Sequence, residues 1–165
     1  MKTLLLMRHA KSSWKEPTRA DFDRPLSRRG RKAAQRMGRL MLAGNLLPNA
    51  ILCSPAARSR ETCLLLQQEW TFDRNVDWNP ALYHCPATRL CEILRTANSA
   101  AECLLVIGHN PGLADFLFAT VQFEESFPTG ALAQLSVELD SWSEFHPETV
   151  INLEDIWRPR EVIDP

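Results

Sequence analysis

Two uninterrupted apolar runs, residues 4–7 and 103–107, each pass directly into a polar segment that carries a histidine. Arg8-His9 follows the first run, and Gly108-His109-Asn110-Pro111 follows the second. Short continuous runs of this kind read as strands buried on both faces, and such strands need helices on either side of them. The rest of the chain supplies those helices. Residues 28–43 place Ala33, Met37, Leu40 and Met41 at helical spacing, with Gly44 just past the end. Residues 50–53 read as a short strand. Ser54-Pro55 then supplies an N-cap and a first-turn proline for a helix running through Leu65, Leu66 and Glu69. Residues 75–78 suit a short edge strand, and Pro86 opens a helix through Leu90, Ile93, Leu94 and Ala97. Asn110-Pro111 caps another that carries Leu113, Phe116 and Leu117, and residues 131–139 and 149–157 complete the pattern as strands. Alternating strands and helices predict an α/β fold, a three-layer sandwich around a mainly parallel central sheet.

At 165 residues the chain suits a single domain over residues 1–165. Residues 158–165 are expected either to pack on the core or to trail as a tail. No apolar run approaches the ~18 residues of a membrane span. The apolar start stops at Arg8, too short for a secretory h-region, so a cytoplasmic location is expected. The five cysteines are odd in number and form no Cys-x-x-Cys pair, which favours free thiols packed as small hydrophobes. Cys53 and Cys103 lie inside strand-like runs and are expected to be buried.

The net charge of −1 conceals an asymmetry. Residues 1–60 hold 14 Lys and Arg against 3 Asp and Glu, and the remainder 5 against 17. A basic half suggests an anionic ligand such as phosphate or nucleic acid, unless the two halves interleave and neutralise each other. Arg28, Arg29, Arg31, Lys32, Arg36 and Arg39 read largely as a solvated helix face. Only Trp14 and Phe22 accompany the basic stretch as aromatics, which argues against nucleic acid.

Three strand ends can carry chemistry. In open parallel sheets ligands bind where the carboxyl ends of strands meet the following helices. Arg8 and His9, then Ser54 with Arg58 a turn later, then His109 and Asn110 are delivered to such positions. Helix N-termini there add backbone donors and the positive dipole end. Taken singly, each residue has an ordinary structural explanation. Taken together, they form a set of donors for a tetrahedral oxyanion, and a phosphoryl group is the economical ligand.

The stretches RHAKSSW (8–14), DFDRPLSRRG (21–30), CSPAARSRET (53–62), VIGHNPGL (106–113) and FPTGALAQL (127–135) together resemble the histidine phosphatase superfamily. They are most similar to its short, SixA-like phosphohistidine phosphatase branch. The resemblance implies the phosphoglycerate-mutase-like fold without a cap domain, and phosphatase activity with neither metal nor other cofactor. It also implies that His9 is the nucleophile of a transient phosphohistidine, with Arg8, Arg58 and His109 clamping the phosphoryl oxygens. Thr62 ends the 53–62 stretch. Ser54 and Asn110 read first as helix caps and second as substrate contacts, and Lys11 and Arg19 as residues bordering the site.

The chain departs from the larger phosphomonoesterases of the superfamily in one respect. Residues 80–86 offer no Asp or Glu where those enzymes carry an acid for the leaving alkoxide; the next one is Glu92. An imidazole leaving from a P–N bond has less need of an external acid, so a phosphohistidine substrate is favoured. His84, Asp21 and Asp23 are the residues to consider if an acid is required. The expected partners are a phosphorylated protein or a small phosphoryl substrate, with free phosphate ion also bound, and neither nucleic acid nor membrane. A small-molecule phosphomonoesterase and a non-catalytic phosphoryl-binding module are the alternatives. A metal hydrolase is disfavoured because His9, His84, His109 and His146 form no i,i+4 pair.

Overall fold

The computed structural model describes residues 1–71 and 74–164. Ten principal elements follow one another: β1 (Lys2–Arg8), α1 (Arg28–Ala43), β2 (Ala50–Cys53), α2 (Ala57–Glu69), β3 (Val76–Trp78), α3 (Ala87–Leu94), β4 (Cys103–Gly108), α4 (Gly112–Val121), β5 (Leu132–Val137) and β6 (Ile151–Trp157). The six strands form one sheet in the order β3-β2-β4-β1-β5-β6. The first four are parallel. β5 runs antiparallel to β1, and β6 antiparallel to β5, so the sheet is mixed along one flank. Apolar patterning does not encode strand direction, which is why the sequence leaves this flank undetermined.

The pleat divides β1 between two cores. Leu4 and Leu6 join Leu90, Ile93, Leu113, Phe116 and Leu117, the faces of α3 and α4. Leu5 and Met7 join Met37, Met41, Cys63 and Leu66, the faces of α1 and α2. Period-2 alternation makes every residue of a doubly covered strand apolar, and each buried side chain of this size contributes about 1.5–3 kcal/mol. The ends of the central strands are level: Arg8 pairs with Gly108, and Cys53 with Ile107.

Two local expectations need correction, and one left open is decided. Helix α2 begins at Ala57, and its N-cap Ala56 makes no side-chain capping bond, so Ser54 lies outside the helix rather than at its cap. Cys103 is only half-buried because it begins β4 at the rim, whereas Cys53 and Cys63 are buried; all five thiols are free. The described part of the 158–165 segment packs on α1: Pro159 is buried, Arg36 donates to its carbonyl at 3.0 Å, and Arg39 pairs with Asp164 at 2.7 Å. Pro165 lies outside the described residues.

One close approach fixes α1 against the loop leaving β1. A Cβ on Gly30 would stand 2.0 Å from the carbonyl oxygen of Lys11, so any larger residue there must push the helix away. Ser27 anchors the same junction, its N–H donating to Lys11 O at 2.9 Å and its hydroxyl accepting from Gly30 N–H. No helix among the described residues is long and apolar enough to cross a membrane.

Candidate active site

The level ends of β1 and β4 and the first turn of α2 bring His9, His109 and Arg58 into one buried cluster, with exposures of 6%, 5% and 4%. His9 Nδ1 lies 2.7 Å from the Ala10 carbonyl. Only an N–H can use that acceptor, so Nδ1 holds the proton and Nε2 carries the lone pair. Arg58 Nε–H points at that lone pair from 3.3 Å. Burial lowers the His9 pKa to about 3, with the charges of Arg58, Arg8 and Arg24 acting in the same direction. The ring is therefore neutral and nucleophilic at neutral pH.

His109 faces it, ring centroids 5.0 Å apart. Arg58 Nη2 stands 3.4 Å from its Nδ1, so Nε2 carries the proton and donates to Ser54 Oγ at 2.8 Å. Burial brings this histidine, too, down to about 3. Ser54 thus orients His109. Thr62 ties the strand exit to α2, donating to Arg58 O at 2.7 Å and accepting from Ala10 N–H at 3.0 Å. Arg8 is half-buried, donates to Phe127 O at 3.3 Å, and has no hydrogen-bond partner for Nε among the described residues.

The remaining sequence candidates separate clearly. Asn110 does act as a cap, accepting from Ala114 N–H, while its amide donates to Phe127 O at 2.9 Å; its side chain is committed to the scaffold. Lys11 is exposed and shares a cavity wall with Arg8. Arg19 pairs with Glu16 at 2.5 Å on the exposed loop. Asp23 is exposed.

Asp21 enters the cluster, but not as an acid. Its carboxylate accepts from Tyr83 Oη at 2.5 Å, Arg24 Nε and Nη2 at 3.1 and 2.9 Å, and Arg58 Nη2 at 3.1 Å. The Tyr83 hydroxyl first, and the arginines with it, hold this carboxyl well below the usual carboxylate range. Having accepted four bonds while ionised, it has no proton to give. His84 stands at the rim in a left-handed conformation (φ 53°), mostly exposed, with Nε2 3.7 Å from Asp21.

Tyr83 and Arg24 were not among the expected site residues. Tyr83 packs edge-on to His109, centroids 5.5 Å apart, and lies beneath the Arg58 guanidinium. The stretch carrying it draws attention only for its lack of carboxylates. Arg24 was detectable as the i,i+3 partner of Asp21. Among the described residues no group of three or more His, Cys, Asp or Glu is placed to hold a metal ion.

Similar sequences and architectures occur elsewhere. A protein of Mycobacterium tuberculosis, itself uncharacterised, is 32% identical over 153 residues, 86% of this chain and 92% of that one. An uncharacterised chloroplastic protein of Arabidopsis thaliana is 33% identical over 118 residues, 66% of this chain; the chain spans only 54% of that relative's length. Among solved structures, a candidate phosphohistidine phosphatase SixA from Nakamurella multipartitia superposes with a TM-score of 0.82 at 25% identity, covering 96% of each chain. The model of the histidine phosphatase superfamily, branch 1, matches residues 4–85, the span that delivers His9, Arg58 and Asp21. These similarities support phosphatase activity, and they show that the chain belongs to the histidine phosphatase superfamily with a SixA-like fold.

Proposed function

We propose that the chain is a metal-independent phosphatase that removes phosphoryl groups from histidine side chains of a protein, through a phosphohistidine on His9. The observation that carries this reading is the state of the carboxylate in the site. Asp21 is ionised and fully engaged with Tyr83, Arg24 and Arg58, so the leaving group has to depart without its help.

In the first step His9 Nε2 attacks phosphorus, the N–P bond forms, and the substrate's P–N bond breaks. A phosphoimidazole protonated on its other nitrogen leaves as neutral imidazole, whereas an alkoxide would need a proton in flight. Arg58 turns from Nε2 to the phosphoryl oxygens, Arg8 directs its unpartnered Nε–H to them, and His109 completes the clamp. In the second step water attacks the phosphoryl group and the electron pair returns to Nε2. The Nδ1–H held by Ala10 lets His9 depart neutral, so both half-reactions use the same leaving-group chemistry.

Tyr83 favours one competing reading. Its hydroxyl is at the mouth of the site, and on release from Asp21 it is positioned to protonate an ester oxygen, as a small-molecule phosphomonoesterase requires. Phosphate release from a phosphohistidine-bearing protein and from a phosphomonoester, measured in EDTA with the native chain and the His9→Ala and Tyr83→Phe variants, separates the two. The proposal expects fast, His9-dependent release from phosphohistidine that persists in Tyr83→Phe. Faster ester turnover that collapses in Tyr83→Phe moves the function to small esters. Tight phosphate binding with no turnover of either leaves a binding module.

A further inference from the structure

A second cationic feature begins where the cluster ends. Arg8 and Lys11 line one wall of a cavity of about 470 Å³, together with Arg29 of α1 and Arg160 of the C-terminal segment. An adjoining cavity of about 690 Å³ continues along α1 past Arg28 and Lys32, sharing Arg29 and Arg160 with the first. The two form one groove whose inner end is the residue next to His9.

Part of the groove's charge is used by the fold: Glu161, which also lines it, pairs with Arg158, and Arg36 holds Pro159 O. Arg31 and Arg39 on the same helix have carboxylate partners in Glu61 and Asp164, and Arg158 has Glu125 and Glu161. Lys11, Arg28, Arg29, Lys32 and Arg160 have none among the described residues, and all five are exposed. Opposite them the wall is held rigid by Arg36, which donates to Pro159 O. Five unneutralised cations along one groove repel one another, and an anionic occupant removes that cost.

From this we infer that the groove docks an acidic segment of the phosphorylated protein partner, a stretch of Asp and Glu flanking the residue that reaches His9. The inference extends the catalytic reading by naming how the partner is recognised. The lining favours peptide over nucleic acid. Its uncharged walls are Ala33, Pro159, Ser126, Pro128 and Thr129, with no aromatic surface on which bases would stack. Arg28, Arg29 and Lys32 project over about 6 Å of helix, at 1.5 Å per residue. That length exceeds one phosphate and suits successive acidic side chains. A single small anion would leave most of the groove unneutralised.

The test uses a labelled, phosphate-free peptide rich in Asp and Glu, its Asn/Gln counterpart, and a single-stranded oligonucleotide of similar charge. Binding to the intact chain is followed by fluorescence anisotropy at low and high salt. The test variant is Arg28→Glu/Arg29→Glu/Lys32→Glu. Acidic residues at positions 28 and 29, in the first turn of α1, complement the helix dipole, and position 32 is exposed, so it should fold normally, as circular dichroism will verify. The acidic peptide should bind, be released by salt, and lose at least about tenfold in affinity to the variant. In turnover, the kcat/KM advantage of an acidic over a neutral flank around phosphohistidine should vanish in the variant, with a small phosphoramidate still hydrolysed. Equal binding of the acidic and neutral peptides, equal binding to the variant, or displacement of the peptide by the oligonucleotide at lower concentration would overturn the inference. Because the binding peptide carries no phosphate, a chain that docks it but hydrolyses no phosphohistidine refutes the catalytic reading and leaves the groove assigned.

Discussion

A buried cation stands beside each end of strand β1, and the two are treated very differently. At its start Lys2, 3% exposed, donates to Ser99 O, Ala101 O and Glu102 Oε1 at 3.1, 3.0 and 2.9 Å, using all three of its protons. At its far end Arg58 shares its protons among Asp21 and two histidine nitrogens at 3.3 and 3.4 Å, and Arg8 beside it leaves Nε unpartnered. A buried charge is tolerated when its hydrogen bonds are complete, and Lys2 meets that condition within the chain. At the arginine end Arg58 donates to Asp21 O and Oδ2 as well as facing both histidines, and Arg8 Nε is left without a partner among the described residues. The comparison separates a cation fully engaged by the fold from cations that the proposed mechanism assigns to the phosphoryl group.

The largest test of that contrast is at the centre of the arginine end. His9→Ala should lower turnover by at least about 10³-fold while leaving phosphate binding in place, since the arginines remain. Loss of binding together with turnover would mean that the ring, not the guanidinium groups, holds the anion. Arg58→Ala should cost about 10²–10³ in kcat, as removal of a positioned oxyanion donor does. Its melting temperature should fall little, whereas Lys2→Met should cost about 1–3 kcal/mol of stability from the lost bonds to Ser99 O and Ala101 O, although Trp142 Nε1–H still reaches Ala101 O, with kcat unchanged. If the two variants exchanged phenotypes, the contrast would fail. Added inorganic phosphate should stabilise the native chain by about 2.7 kcal/mol at a hundred times its Kd, and Arg58→Ala far less.

The last test concerns protons. His9 and His109 are depressed to about 3, whereas an unfolded chain binds protons at histidine near pH 6.5. Between those values the unfolded state holds more protons, so stability is complete above about pH 6.5 and declines as pH falls towards 3. Ring resonances of both histidines should remain unshifted from pH 8 to 5 in NMR titration. Movement of either near pH 6.5 would show that the site is wetter than its geometry implies.

What the sequence revealed follows physical lines. Leu4, Leu5, Leu6 and Met7 announce a doubly covered strand because both faces demand apolar residues. The strand-end residues His9, Arg58 and His109 were legible because parallel topology alone brings such ends together. Side-chain commitments were harder to read. Ser54-Pro55 has the grammar of a helix start, yet Ser54 serves His109, a contact across 55 positions. Tyr83 reaches Asp21 across 62 positions, from a turn set by the left-handed backbone of His84, and no local pattern reports that. The antiparallel flank was equally silent, since β5 and β6 carry the same apolar spacing in either direction.

The contact between Gly30 and Lys11 O has a consequence for the choice of partner. That close seat holds the start of α1 against Lys11, so the cations of α1 keep a set offset from His9, two residues before it. If the groove docks an acidic segment as proposed, the molecule would act as a gauge, favouring partners whose acidic residues lie at the matching interval from the phosphorylated side chain. A single methyl group at position 30 would reset the scale.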